Sequence, residues 1–300
     1  MTLLVALVDD ATVARIALHF PEGVDFIVWR PGDPAPDRVI DLLVMPYVTS
    51  YEMLATVGGI VRHVQSQSLG YDGAADVVPA GVTFSNAIGV HEAPTAEIAM
   101  TLILASQRGW PQVGRDQVTE TWARNAWPGL LGRRVLLIGV GGIGSEFEKR
   151  IGGFGAILTK VGRTARDGVH ATSELPTLLP DADIVVVAVP LSEETTHLVD
   201  GAFLDLLPHG ALVVNVSRGP IVDTDALVEH VRTGAVRSAL DVFDPEPLPA
   251  GHPLWSLPGS LVSPHQGGNV ASMSDRMDVL AIDQITRLRN GEPPKYIVID

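Results

Sequence analysis

The sequence predicts an α/β protein built from two doubly wound, parallel-sheet units. Three observations lead there. The chain has 300 residues, 46% apolar and 19% charged, a globular composition of about two domains' length. Short apolar strands alternate with helical pattern along most of it. The alternation restarts at Arg134, where a new apolar strand runs straight into a cluster of glycines.

The first half reads as five strands. Leu3–Val8 is apolar and ends in Asp9-Asp10, a strand followed by a helix start. Phe26–Trp29, Leu42–Met45, Val61–Gln67 and Val82–Ser85 follow, separated by turn chemistry at Pro31-Gly32-Asp33-Pro34, Gly58-Gly59 and Pro79-Ala80-Gly81. Helical pattern between the strands makes a small parallel α/β domain. From Glu92 to Gln107, Ala96, Ala99, Met100, Ile103 and Leu104 fall at helical spacing. This helix is too apolar for a solvated surface. It is expected to lie buried between domains, and a subunit interface is a compatible reading.

The second half is larger. Strands are expected at Arg134–Val140, Ile157–Val161, Ile184–Val189, Ala211–Val216, Ser238–Val242 and Leu261–Ser263. Helices are expected from about Ile143 to Phe154, near Ala202–Leu207, and at Thr224–Arg232. A last helix, Ser272–Arg289, and a strand, Tyr296–Ile299, close the chain.

Composition removes several function classes. With 21 basic and 35 acidic residues the net charge is −14, which disfavours phosphate backbones as partners. There is no cysteine, so thiolate metal sites, iron–sulfur clusters and cysteine nucleophiles are excluded, and no metal site is expected. No apolar stretch reaches the ~20 residues of a membrane span. The opening MTLLVALVDD reads as a first strand rather than a leader, so a cytoplasmic location is expected.

Gly139-Val140-Gly141-Gly142-Ile143-Gly144 matches G-x-G-x-x-G. Alone the pattern is weak in a chain with 30 glycines. Here it directly follows an apolar strand and opens a helix, the context of a dinucleotide site. The first glycine serves a tight turn, the second close backbone approach to a pyrophosphate, the third helix–strand packing. The pyrophosphate would sit on the positive helix end. An NAD site usually carries a carboxylate about 20 residues further on. In this chain that position is Gly162, and Arg163 follows. A guanidinium pairs with a 2′-phosphate where a carboxylate would repel it, so NADP is expected, with NAD possible. The alternative is a surface arginine and relaxed use of both.

Three further islands end buried strands. They are Asn215-Val216-Ser217-Arg218-Gly219, Asp241-Val242-Phe243-Asp244-Pro245-Glu246-Pro247-Leu248, and Ser263-Pro264-His265-Gln266-Gly267-Gly268. The carboxyl ends of strands border the crevice where open α/β sheets bind ligand. Of nine histidines, only His265 follows a buried strand and precedes a double glycine. A histidine paired with a carboxylate exchanges protons near neutral pH, and an arginine beside it can grip a carboxylate substrate.

The order and wording of these islands resemble the D-isomer-specific 2-hydroxyacid dehydrogenase family, including its glyoxylate/hydroxypyruvate reductases and phosphoglycerate dehydrogenases. The resemblance covers nearly the whole chain, from Leu69-Gly70-Tyr71-Asp72 through His91–Glu97 and the glycine loop to SPHQGG. It implies a Rossmann cofactor domain, 94–269, inserted in a flavodoxin-like substrate domain, 1–93 plus 270–300. It implies hinges near His91–Pro94 and Gly268–Ser272, and a homodimer. It implies that His265 is the acid/base, that Glu246 holds its imidazole, and that Arg218 binds the substrate carboxylate and polarises the carbonyl. The Leu69 and Gly70 amides would grip the carboxylate a second time. For the cofactor it implies contacts at Thr95 and Asp241; the other expected cofactor contacts are the loop from Gly139 through Gly141, Gly142 and Ile143 to Gly144, with Arg163, Thr164, Val189, Pro190, Thr195, Val216 and Ser217.

The implied reaction is reversible reduction of a small 2-keto acid to the D-2-hydroxy acid. Two alternatives stay open: a formate- or phosphite-type dehydrogenase, against which the intact Glu246 speaks, and a non-catalytic, dinucleotide-sensing binding protein like the corepressors on this fold. The chain departs from the family pattern at Gly162, at Glu148 on the glycine-loop helix, and at Gln266 after the histidine. Trp255 and Tyr47 are candidates to line a substrate pocket, with plain packing as the competing role for Trp255.

Overall fold

The computed structural model describes residues 2–47 and 50–300. The chain divides into two compact units, Met1–His91 with Ala271–Asp300, and Glu92–Val270.

The chain starts with β1 (Leu3–Leu7), α1 (Asp10–Ala17), β2 (Val24–Val28), β3 (Leu42–Val44), β4 (His63–Gln65) and β5 (Thr83–Ser85). Asp9 caps α1, its carboxyl accepting the Thr12 N–H at 2.7 Å. The expected strands are all present, though several are shorter. The expected helical spacing is only partly realised: α1 is the one α-helix between these strands, and β3 and β4 are joined through a 3₁₀ turn at Glu52–Thr56. Gly and Pro interrupt the connections instead, at Pro31, Gly32, Pro34 and Pro36, at Gly58 and Gly59, and at Gly70, Gly73 and Pro79.

The second unit opens with α2 (Glu92–Gln107) and α3 (Trp110–Val118). Then come β6 (Arg134–Ile138), α4 (Gly142–Ile151), β7 (Ile157–Gly162), β8 (His170–Ala171), α5 (Leu175–Leu178), β9 (Ile184–Val187), α6 (Gly201–Asp205), β10 (Ala211–Asn215), α7 (Thr224–Arg232), β11 (Val236–Leu240) and β12 (Ser260–Val262). The seven-stranded sheet has the order β12-β11-β10-β9-β6-β7-β8, with every pairing parallel. Chain direction across the sheet reverses between β6 and β9. Their carboxyl ends therefore form the switch-point crevice where doubly wound sheets take ligand.

Both faces of this sheet are buried, as a parallel sheet requires. Alternate residues serve opposite faces. Leu136, Ile138, Val185, Val187 and Val213 pack with Phe203, Leu204, Leu227 and Val231. Val135, Leu137, Ile184, Val186, Leu212 and Val214 pack with Ala96, Ala99, Met100 and Ile103 of α2 and with Phe147 and Ile151 of α4. Glu92–Gln107 is helical and largely buried, as its spacing predicts. Its apolar face is covered from within its own unit, by α4 and the sheet, because both small alanines and long side chains on it meet a complementary surface there.

The chain ends with α8 (Met273–Arg289) and β13 (Ile297–Ile299), which return to the first unit. That sheet has the order β13-β5-β4-β3-β1-β2; its first five strands are parallel and β13 is antiparallel to β5. Gln284 and Gln65 are both fully buried. Gln284 Nε2 donates to Gln65 Oε1 at 2.7 Å, and Gln284 Oε1 accepts the Lys295 N–H at 2.9 Å. Gln65 Nε2 in turn donates to the carbonyls of Ser66 (2.7 Å) and Asn86 (3.0 Å). These buried amides satisfy one another and tie α8 to the sheet. Among the described residues, no helix is long and apolar enough to cross a membrane.

Candidate active site

β6 ends at Ile138, and the glycine loop follows. Gly139 has φ +109, and a Cβ there would overlap the Ala188 carbonyl. A Cβ on Gly144 would overlap the Gly139 carbonyl. These two positions therefore exclude any side chain. Gly141, the N-cap of α4, has nothing within 4 Å of such a Cβ. The loop thus holds an open cradle against the amino end of a ten-residue helix, which fits the pyrophosphate of a dinucleotide. Ile143 lies in the first turn of α4 and packs against the α2 side of the core.

Glu92 is a neighbour that the motif did not announce. It is buried in the first turn of α2, and a Cβ on Gly142 would come within 2.6 Å of its Cγ. Gly142 is therefore the residue that lets α2 approach the loop. Glu148 faces water and pairs with Lys160 at 2.8 Å, joining α4 to β7. It does not loosen helix packing.

β7 ends at Gly162, and Arg163 and Thr164 beyond it are exposed. Nε and Nη2 of Arg163 both donate to Glu194 Oε2, in the loop after β9. Val189 and Pro190 begin that loop. Thr195 closes it: its hydroxyl donates to the Pro190 carbonyl at 2.7 Å and accepts the Ser192 N–H at 2.8 Å. The Ser217 hydroxyl, after β10, donates to the Val189 carbonyl and links the ends of β9 and β10. Val216 beside it is buried.

Asn215, fully buried, shapes the turn that carries Arg218. Its Nδ2 donates to the Arg218 carbonyl at 2.8 Å, and its Oδ1 accepts the Ser217 N–H at 3.0 Å. The Arg218 Nη1 donates to the Ser217 carbonyl at 2.8 Å.

His265 and Glu246 meet directly: His265 Nδ1 donates to Glu246 Oε1. That bond fixes the ring, and Nε2 has no hydrogen-bond partner among the described residues. Burial works to raise the Glu246 carboxyl. The His265 hydrogen bond and charge, the Phe243 N–H and the Arg218 guanidinium outweigh it, so its pKa lies below the ordinary carboxylate value.

Asp241, 1% exposed, organises the loop that bears the histidine. Its Oδ1 accepts from the Ser263 hydroxyl (2.5 Å) and the Gln266 N–H (2.8 Å); its Oδ2 accepts the Gly267 N–H (2.8 Å). Its carbonyl accepts the His265 N–H at 2.8 Å. His265 has φ +50, a left-handed conformation costing roughly 1–2 kcal/mol for a residue with a Cβ. Four bonds to one aspartate hold it there. Thr95, in the first turn of α2, abuts Gly267, whose Cβ would lie 3.3 Å from the threonine Oγ1.

Leu69 and Gly70 belong to the first unit. The Leu69 carbonyl accepts from Asn86 Nδ2 (2.8 Å) and the Gly70 carbonyl from the Tyr51 hydroxyl (2.7 Å). Both carbonyls are pinned, and among the described residues neither N–H donates to a protein acceptor. Tyr47 is half-exposed, its ring 6.3 Å from that of His91. The Trp255 indole donates to the Pro249 carbonyl at 2.9 Å and so fastens its own loop. The Gln266 side chain is exposed.

Comparison with known proteins gives the family. The model of the D-isomer specific 2-hydroxyacid dehydrogenase NAD binding domain matches residues 100–267. A glyoxylate reductase of Thermococcus gammatolerans is 33% identical over 79% of this chain and 76% of its own. One from Thermofilum pendens is 31% identical over 79% and 75%. The solved structure of a D-isomer specific 2-hydroxyacid dehydrogenase from Xanthobacter autotrophicus, in complex with NADPH and MES, superposes with a TM-score of 0.83 at 26% identity, covering 99% of this chain and 98% of that one. The chain belongs to the D-isomer specific 2-hydroxyacid dehydrogenase family and is an NAD(P)-dependent oxidoreductase of 2-hydroxy acids.

Proposed function

We propose that the protein reduces a small 2-keto acid, of the glyoxylate or hydroxypyruvate type, to the D-2-hydroxy acid, with NADPH preferred over NADH. The observation that carries the reaction is the His265–Glu246 pair beside the Arg218 charge. A bound nicotinamide dinucleotide supplies the hydride. Arg218 holds the substrate carboxylate and draws charge toward the keto oxygen. His265 gives that oxygen a proton from Nε2, and Glu246 stabilises the protonated ring. Leu69 and Gly70 offer their N–H groups to a carboxylate.

The NADPH preference is supported by Gly162 and Arg163 at the end of β7, where a ribose-binding carboxylate is missing. Relatives named glyoxylate reductase support the substrate class. The protein acts as a homodimer in this reading. Trp122, 94% exposed, and the exposed Trp110, Val118 and Leu131 give the segment after α2 an apolar surface that suits a second copy.

The test is cofactor oxidation at 340 nm with glyoxylate, hydroxypyruvate, pyruvate and phenylpyruvate, each with NADPH and with NADH. Faster turnover of glyoxylate or hydroxypyruvate with NADPH supports the reading. Turnover with NADH alone overturns the cofactor preference. Tight cofactor binding with no turnover of any acid overturns the reaction.

A further inference from the structure

The parallel sheet of the second unit has two ends. Arg218, Asp241 and His265 follow the carboxyl ends of β10, β11 and β12. Arg133, Asp183 and Gly210 precede β6, β9 and β10, and Arg237 is the second residue of β11. A five-residue strand sets these ends about 16 Å apart. At the amino end lies a cavity of about 310 Å³, bordered by Gln107, Arg133, Asp183, His209, Gly210 and Arg237.

Arg237 is the uncompensated charge in it. Its Nε donates to the Gly210 carbonyl (2.9 Å) and its Nη2 to Gln107 Oε1 (2.7 Å). Both acceptors are neutral, and Nη1 has no hydrogen-bond partner among the described residues. Burial, and then the positive charge of Arg133, push the guanidinium below its ordinary value. It nevertheless remains protonated at any physiological pH. Asp183 does not neutralise it. That carboxylate accepts the Arg134 N–H at 2.8 Å and lies 3.5 Å from Arg133 Nη1. Arg133 thus has a carboxylate partner and Arg237 has none among the described residues, and a half-buried cation is costly unless an anion joins it.

We propose that this cavity is a binding site for a small oxyanion, a carboxylate or a phosphate, gripped by Arg237 with Arg133 and His209 at its rim. Planar guanidinium forks match either group. The site is separate from the catalytic crevice, and nothing in keto-acid reduction requires it. It has a mechanical link to the rest of the unit. Gln107, which holds Arg237, also donates to the Gly129 carbonyl at 2.8 Å and closes α2. At about 24 Å long, α2 carries Glu92 and Thr95 at its other end.

The test is thermal melting of the enzyme saturated with NADPH, titrated with potassium phosphate or potassium citrate against potassium chloride at matched ionic strength. A saturable rise in Tm is expected with at least one of the two. Phosphate alone would mark a phosphate-bearing ligand, citrate alone a carboxylate. Arg237→Gln should weaken the response at least tenfold and leave keto-acid turnover intact; Arg133→Gln should weaken it too, and reports if the first variant does not fold. A response equal in wild type and in the variants, or no larger than with chloride, overturns the proposal. So does loss of the response as the chain self-associates in sedimentation, which would assign the cavity to a second copy.

Discussion

Arg163 and Glu194 form an ion pair at the carboxyl edge of the cofactor sheet, between the end of β7 and the loop after β9. The guanidinium that would meet a 2′-phosphate is already held by a carboxylate. Both groups are exposed, so the pair itself is weak. Glu194→Gln should therefore tighten NADPH binding about two- to fivefold and barely change NADH. Arg163→Ala should weaken NADPH about tenfold or more. Fluorescence titration of both cofactors reads the ratio; an unaltered ratio in Arg163→Ala would refute the assigned preference.

The His265–Glu246 pair predicts a split between chemistry and binding. His265→Gln should lower kcat by about 10²–10⁴ while the NADPH Kd stays near wild type. Glu246→Gln keeps an acceptor for the ring but removes its charge, so a smaller loss of kcat is expected. Wild-type turnover in His265→Gln would sink the proton-transfer role.

Asp241→Asn is expected to be more than a local change. Its carboxylate oxygens meet three donors. An amide nitrogen placed there opposes at least one of them, leaving a buried donor unpaired at a cost of about 1–3 kcal/mol. His265 keeps its bond to the Asp241 carbonyl but loses part of the side-chain support for its left-handed backbone. The expected result is a fall in keto-acid turnover of tenfold or more together with a lower Tm. An unchanged kcat would show that the loop keeps its shape without that carboxylate.

His63 makes stability sensitive to acid. It is 2% exposed, and burial lowers its pKa from 6.5 to about 4. Between those values the unfolded chain takes up a proton that the folded chain refuses. Stability is therefore complete above about pH 6.5 and declines as pH falls toward 4, by up to about 3 kcal/mol. Calorimetric Tm measured from pH 7 to 4.5 should fall less steeply in His63→Phe. Parallel slopes in the two proteins would discount the imidazole as the source.

What the letters revealed depended on whether the signal was local. Thr224–Arg232 and Glu92–Gln107 have caps or spacing that end where the helices end. The glycine loop and the NVSRG, DVFDPEP and SPHQGG islands each stand at a strand end, so their placement needed only the alternation pattern. β8 is two residues long and has no period to detect. β4 stops at Gln65, where Val61–Gln67 was expected, because the Gln65 and Ser66 side chains and the carbonyls beyond turn to a buried hydrogen-bond network. Glu194 against Arg163, Ser263 on Asp241, and Glu92 beside Gly142 were illegible for one reason. Each contact joins residues 22 to 50 positions apart, and an isolated Glu or Ser carries no mark of its distant neighbour.

The order of segments also bears on how the chain is made. The first unit is formed by two segments, Met1–His91 and Ala271–Asp300, that flank the contiguous second unit. During synthesis the second unit can close while β5 still offers a bare edge and Gln65 awaits Gln284. Only the segment that follows the second unit covers both. Until then an unpaired strand is open to other nascent chains. A chain truncated after Val270 would leave that edge of β5 uncovered.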